Sequence, residues 1–80
     1  MPAYGYTQED LRQWRATRLN EHLASGGVIQ VATYCKAWLY SKRHAGWFTE
    51  DANGNLYVQH GRGRNCLSHG DRLLVSIRFQ

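Results

Sequence analysis

Residues 28–40 read VIQVATYCKAWLY, the most apolar run of the chain, and the fold turns on what this run becomes. A bilayer span needs about 20 apolar residues, so a run this short that also carries Gln30 and Lys36 does not cross a membrane. Its periodicity is two. Ile29, Val31, Thr33, Cys35, Ala37 and Leu39 alternate with Gln30, Ala32, Tyr34, Lys36, Trp38 and Tyr40, and a strand sends alternate side chains to opposite faces. Read as one strand, the first set is small and β-branched, suited to packing against a helix. The second set leaves Tyr34, Lys36, Trp38 and Tyr40 together on an open face.

Upstream, TQEDLRQWRATRLNEHLAS runs without glycine or proline until Gly26-Gly27. Thr7 is placed to cap a helix, and Glu9 and Asp10 would sit in a first turn that favours negative charge. This predicts one helix over about residues 7–25, with Leu11, Trp14, Leu19, His22 and Leu23 on one half of its surface. Arg12, Arg15 and Arg18 share that half, their stems covering apolar surface while their heads reach water.

Downstream, SKRHAG reads as a linker. WFTE, the turn DANGN and LYVQH read as a hairpin, with Asn53-Gly54 supplying positive φ. GRGRN reads as a flexible connection, CLS as a short strand, and HGD as the last turn before RLLVSIRFQ. In that final strand Leu73, Val75, Ile77 and Phe79 alternate with Arg72, Leu74, Ser76 and Arg78. The expected fold is one α+β domain over residues 1–80, an N-terminal helix packed on a four- or five-stranded antiparallel sheet. One helix covers one face, so the other stays open, with Arg78 among its residues.

Eighty residues suit a single domain, and 42% apolar with 20% charged residues is ordinary for a globular chain. MPAYGYTQED lacks the basic and apolar segments of a secretory signal, which leaves the cytoplasm of the host cell as the expected compartment. Cys35 and Cys66 have neither metal-pair nor redox C-x-x-C spacing and are expected as reduced thiols. The net charge is +4. Residues 1–27 cancel, whereas residues 28–80 hold Lys36, Lys42, Arg43, Arg62, Arg64, Arg72 and Arg78 against Glu50, Asp51 and Asp71. That part is the one that attracts an anion.

Catalytic and metal chemistry find little support. HGRGR, residues 60–64, offers two glycines and two arginines to an anion, but it lacks the lysine-serine ending of a nucleotide-binding loop and precedes no helix. His60, Cys66 and His69, with His44, lack the paired spacing of zinc ligands. Cys66, His69 and Asp71 have the chemistry of a hydrolytic site but little volume in which to build one. A metal-independent ribonuclease would need only His60 or His44 as a base with Arg62 and Arg64 as phosphate clamps. No cofactor is expected. The strongest signal is the aromatic and basic set, Tyr34, Lys36, Trp38, Tyr40, Arg62, Arg64 and Arg78, whose residue types suit stacked bases with phosphates or a protein interface. Such a surface also suits a symmetric homodimer.

KRHAGWFTEDANGNLYVQHGRGRNCLS, residues 42–68, resembles segments of small phage and prophage proteins, and in size and economy the chain is similar to anti-CRISPR proteins. That resemblance implies a non-enzymatic inhibitor that blocks a CRISPR–Cas effector complex by direct protein binding. It assigns no individual residue. Many anti-CRISPR proteins are acidic duplex mimics, and this chain is basic, so the resemblance implies docking on an acidic or mixed surface or occlusion of a nucleic-acid path. The alternative from the residues alone is a small basic nucleic-acid-binding protein.

Overall fold

The computed structural model describes residues 14–70 and 72–80. Its order is helix α1 (Ala16–Ala24), β1 (Ile29–Ala32), β2 (Ala37–Tyr40), a 3-10 turn (Lys42–His44), β3 (Phe48–Glu50), β4 (Leu56–His60), β5 (Gly63–Cys66), β6 (Ser68–His69), β7 (Arg72–Leu73) and β8 (Ser76–Phe79). The class is α+β. Instead of one sheet of four or five strands, the described residues form eight short strands in three antiparallel sheets, ordered β2-β1-β8, β3-β4-β5 and β6-β7.

The run 28–40 is the main correction. It is a hairpin, not one strand. Thr33 closes it: its backbone N–H donates to the Lys36 carbonyl at 2.7 Å, and its Oγ1 accepts from the Lys36 N–H at 3.1 Å. A Thr hydroxyl that bonds the backbone two or three residues on competes with strand pairing. Residues directly opposite in an antiparallel pair share a face, and here Ile29 faces Tyr40 and Val31 faces Trp38. Odd positions of β1 therefore share their face with even positions of β2, and the turn inverts the expected assignment. Tyr40 is 3% exposed and Trp38 packs on the core, whereas Leu39 is 61% exposed and Ala37 is exposed too. Tyr34 and Lys36 lie in the turn, both exposed.

Helix α1 is shorter than expected at its N-terminal end. Thr7, Glu9, Asp10, Leu11 and Arg12 lie outside the described residues, and Arg15 is extended (φ −69°, ψ 147°), so no helix passes through it. The cap comes from β3: Glu50 Oε2 accepts from the Ala16 N–H at 3.2 Å, and Oε1 pairs with the Arg15 guanidinium at 2.6 Å. A carboxylate at this end satisfies an orphan N–H and faces the positive end of the helix dipole. Ala16, Leu19 and Leu23 form the buried stripe. As expected, the glycines stop the helix. Gly26 is left-handed (φ 95°), its N–H donating to Leu23 and that of Gly27 to His22, a Schellman closure. His22 is half-buried, its Nε2 3.1 Å from the Val28 carbonyl and 3.2 Å from that of Gln80.

The three sheets meet over a core of Ala16, Leu19, Leu23, Ile29, Val31, Tyr40, Phe48, Leu56, Val58, Leu67, Leu73, Val75 and Ile77. The alternation expected in residues 73–79 holds: Leu73, Val75 and Ile77 are buried and Phe79 packs against them. That stretch is nevertheless split between β7 and β8. The hairpin around DANGN also forms, but through a longer loop. Asp51 N–H donates to the Asn55 carbonyl at 3.1 Å, and Gly54 (φ 80°) carries the positive φ alone, since no non-glycine among the described residues has one. GRGRN is not a flexible connection; most of it is β5, paired to β4. Both cysteines are free and exposed.

Candidate functional site

The chain's two basic stretches, Lys42–His44 between β2 and β3 and His60–Arg64 at the β4–β5 turn, both come to Tyr40, at the ends of β2 and β4. Three contacts bring them there. The Tyr40 hydroxyl lies 3.3 Å from His60 Nδ1; the Tyr40 and His44 rings meet edge to face with centroids 5.2 Å apart; and the Gln59 N–H donates to the Trp47 carbonyl at 2.8 Å, extending the β3–β4 ladder to this end. Lys42, Arg43, Arg62 and Arg64 are all exposed, and neither stretch contains an Asp or Glu. Four exposed cations with two histidines and no carboxylate within the two stretches are the composition that attracts polyanions.

Local chemistry fixes each part. Ser41 closes the 3-10 turn: its carbonyl accepts from the His44 N–H at 2.7 Å, and its own N–H donates to His44 Nδ1 at 3.0 Å. A neutral His44 therefore carries its proton on Nε2. Helix α1 holds the next few residues through Asn20, whose Oδ1 accepts from the N–H groups of Gly46 and Phe48 at 3.2 Å while its Nδ2 donates to the Phe48 carbonyl at 2.8 Å. Tyr40 anchors the centre. Burial pushes its phenol pKa above the ordinary value, so it stays a neutral hydrogen-bonding group beside His60. His60 is exposed and also stands edge to face with Trp38, centroids 6.0 Å apart.

Arg64 extends the site onto the second sheet. Phe48, Leu56 and Val58 are buried, which puts Thr49, Tyr57, Gln59, Arg64 and Cys66 on the outer face by register. There the Arg64 guanidinium carbon lies 4.2 Å from the centroid of the Tyr57 ring. The Tyr57 hydroxyl donates to Asp51 Oδ2 at 3.1 Å, and this bond, with burial and the Asp51 charge, raises the Tyr57 pKa. Asp51 is itself held: its Oδ1 accepts from the N–H groups of Asn55 and Asn53, both at 2.9 Å, and Oδ2 accepts from the Asn55 amide. The Asn55 backbone bond leads the lowering of the Asp51 pKa.

Of the residues expected to form one binding face, Arg62 and Arg64 lie in this basic region. Trp38 and Tyr40 support it from the core side, so they are its framework and not an open aromatic surface. Tyr34 and Lys36 sit apart in the β1–β2 turn. Arg78 is exposed on the outer face of the first sheet, in register with Gln30 and Leu39. Lys42 and Arg43, read as linker residues, and Tyr57, read only as a hairpin strand position, were missed as parts of one surface. Tyr57 was findable, because it alternates with Leu56 and Val58 and so faces away from the core. Among the described residues no three His, Cys, Asp or Glu side chains converge as metal ligands, and no helix is long and apolar enough to cross a membrane. Comparison with protein-family models, with curated proteins and with solved structures found no match to this chain.

Proposed function

We propose that this chain is a non-enzymatic binding module that holds the phosphate backbone of a nucleic acid at the end formed by Lys42–His44 and His60–Arg64. The observation that carries it is the meeting of those two acid-free basic stretches around Tyr40. Neutralising phosphates releases counterions, so affinity should fall linearly on a log–log plot against salt. Fluorescence anisotropy with a labelled oligonucleotide tests this. Replacing Lys42, Arg43 and Arg62 by alanine should flatten the slope by roughly 0.7 to 0.9 for each phosphate that is no longer neutralised. Salt-independent binding, or equal slopes for wild type and variant, would remove the basic end from the site. An oligoribonucleotide should be recovered intact. Cleavage that depends on His44 or His60 would overturn the non-enzymatic part of the proposal and favour the ribonuclease.

A second reading has its own observation. Among the described residues the large exposed apolar side chains are Tyr34 at 92%, Leu39 at 61% and Leu74 at 51%, and Leu39 shares the outer face of the first sheet with Ala37, Gln30 and Arg78. Exposed apolar area of this kind suits protein docking. A phage-derived inhibitor of a CRISPR–Cas effector would seat that face on the complex while the basic end occupies its nucleic-acid path. Inhibition of a purified effector that survives Arg62→Ala but is lost with Leu39→Arg would favour this reading.

A further inference from the structure

We propose that the Tyr57–Arg64 pair is a stacking platform for an unpaired base, so that the nucleic acid taken at the basic end is single-stranded. The inference rests on the phosphate-binding reading above and names its substrate class. Tyr57 and Arg64 are diagonal neighbours across β4 and β5, where Tyr57 faces Cys66 and Gln59 faces Arg64. The Arg64 guanidinium carbon lies over the Tyr57 ring, 4.2 Å from its centroid, and Arg64 is exposed, so its planar group can take a base. A duplex keeps its base faces inside its own stack and offers only phosphates and groove edges.

The platform is built before any ligand arrives. Its ring is held at the hydroxyl by Asp51, whose carboxylate is fixed by the Asn53 and Asn55 N–H groups. Its backbone is held by the buried neighbours Leu56 and Val58. The charges on either side also set a direction. The Asp51 carboxylate at the hydroxyl end of Tyr57 repels phosphate, whereas the His60–Arg64 turn and the Lys42–His44 turn attract it. The backbone of a bound strand therefore follows the basic end, with a base turned onto Arg64. Gln59, opposite Arg64 in register, donates one amide N–H to the Gly61 carbonyl at 3.1 Å.

The test is anisotropy with three labelled ligands of about 12 nucleotides, within the site sizes known for single-strand binding: a single strand, an abasic strand with the same number of phosphates, and a duplex. Wild type should bind the single strand about tenfold more tightly than the abasic strand, the order expected for one stacked base. Arg64→Lys keeps the charge and loses the plane. It should shrink the ratio of single-strand to abasic affinity from about tenfold to about one, whatever small change the abasic affinity itself shows, and a ratio that stays near tenfold would overturn the platform. Matched DNA and RNA strands serve equally, and base-dependent binding of either supports the platform. Equal affinity for all three ligands, or tighter binding of the duplex, overturns the platform and leaves the phosphate reading standing. Binding to none of them overturns both.

Discussion

The Tyr40 hydroxyl meets His60 Nδ1 at 3.3 Å, so the last residue of β2 is tied to the last residue of β4 across two different sheets. The Tyr40 ring is at the same time part of the core, edge to face with Phe48 at 5.5 Å. One side chain therefore couples packing to the position of both basic turns. Tyr40→Phe keeps the ring and deletes the link. The net worth of such a bond is about 1 kcal/mol, which lowers the melting temperature of a domain this size by about 4 to 8 °C. A calorimetric melt checks the loss, and an unchanged melt would show that the Tyr40–His60 bond holds nothing in place.

The two faces of β2 make a sharper test. Trp38 packs on the core and Leu39 is turned out, so Trp38→Ala should destabilise the domain by about 2 to 4 kcal/mol, somewhat below the loss for a fully buried tryptophan. Leu39→Ala should fall within about 0.5 kcal/mol of wild type. Urea unfolding of the two variants decides it. The opposite order would mean that 28–40 is one continuous strand after all.

Gly27 is required by its neighbour and not by its own backbone. A Cβ there would lie 2.2 Å from His22 Nε2, the atom in reach of the Val28 and Gln80 carbonyls. Gly27→Ala should therefore push the imidazole out and loosen the junction of α1 with the chain's end. In a His22→Ala background the same change should cost almost nothing, an interaction energy that a double-mutant cycle of melts would read directly. Additive losses would place the cost elsewhere.

Asp51 predicts a response to acid. Its folded pKa lies below the ordinary aspartate value because the Asn55 N–H, first among several donors, favours the carboxylate. A depressed folded pKa means stability that is complete above the unfolded value of about 3.9 and is lost as pH falls from there through the lower folded value. Wild type should thus lose melting temperature below that point, whereas Asp51→Asn, already without the charge, should start lower and change less. Parallel curves for the two proteins down to about pH 2, below the ordinary aspartate range, would contradict this.

Several features needed only local chemistry to be read from the sequence. The Gly26-Gly27 stop, the hairpin loop at Asp51–Asn55 and the inward set Leu73, Val75, Ile77 follow from backbone freedom and from the period of apolar residues, and all three are present. The same period misled in residues 28–40. Alternation states which residues share a face only while the strand continues, and a turn such as Thr33–Lys36 can exchange the two sets without altering the pattern itself.

Tertiary structure alone decided where α1 begins and where the basic residues gather. Glu50 caps Ala16 from 34 residues away, and Lys42–His44 reaches the His60–Arg64 turn because Tyr40, inverted by the hairpin, points into the core and on to His60. Local propensity and charge counts say nothing about such long-range pairings. They depend on the register of antiparallel pairs, which is set by how the buried residues of all three sheets and the helix fill one core. The sequence by itself determined a basic α+β domain with its positive charge in residues 28–80, and the packing determined that the Lys42–His44 and His60–Arg64 stretches come together at Tyr40 while Lys36 and Arg78 lie apart.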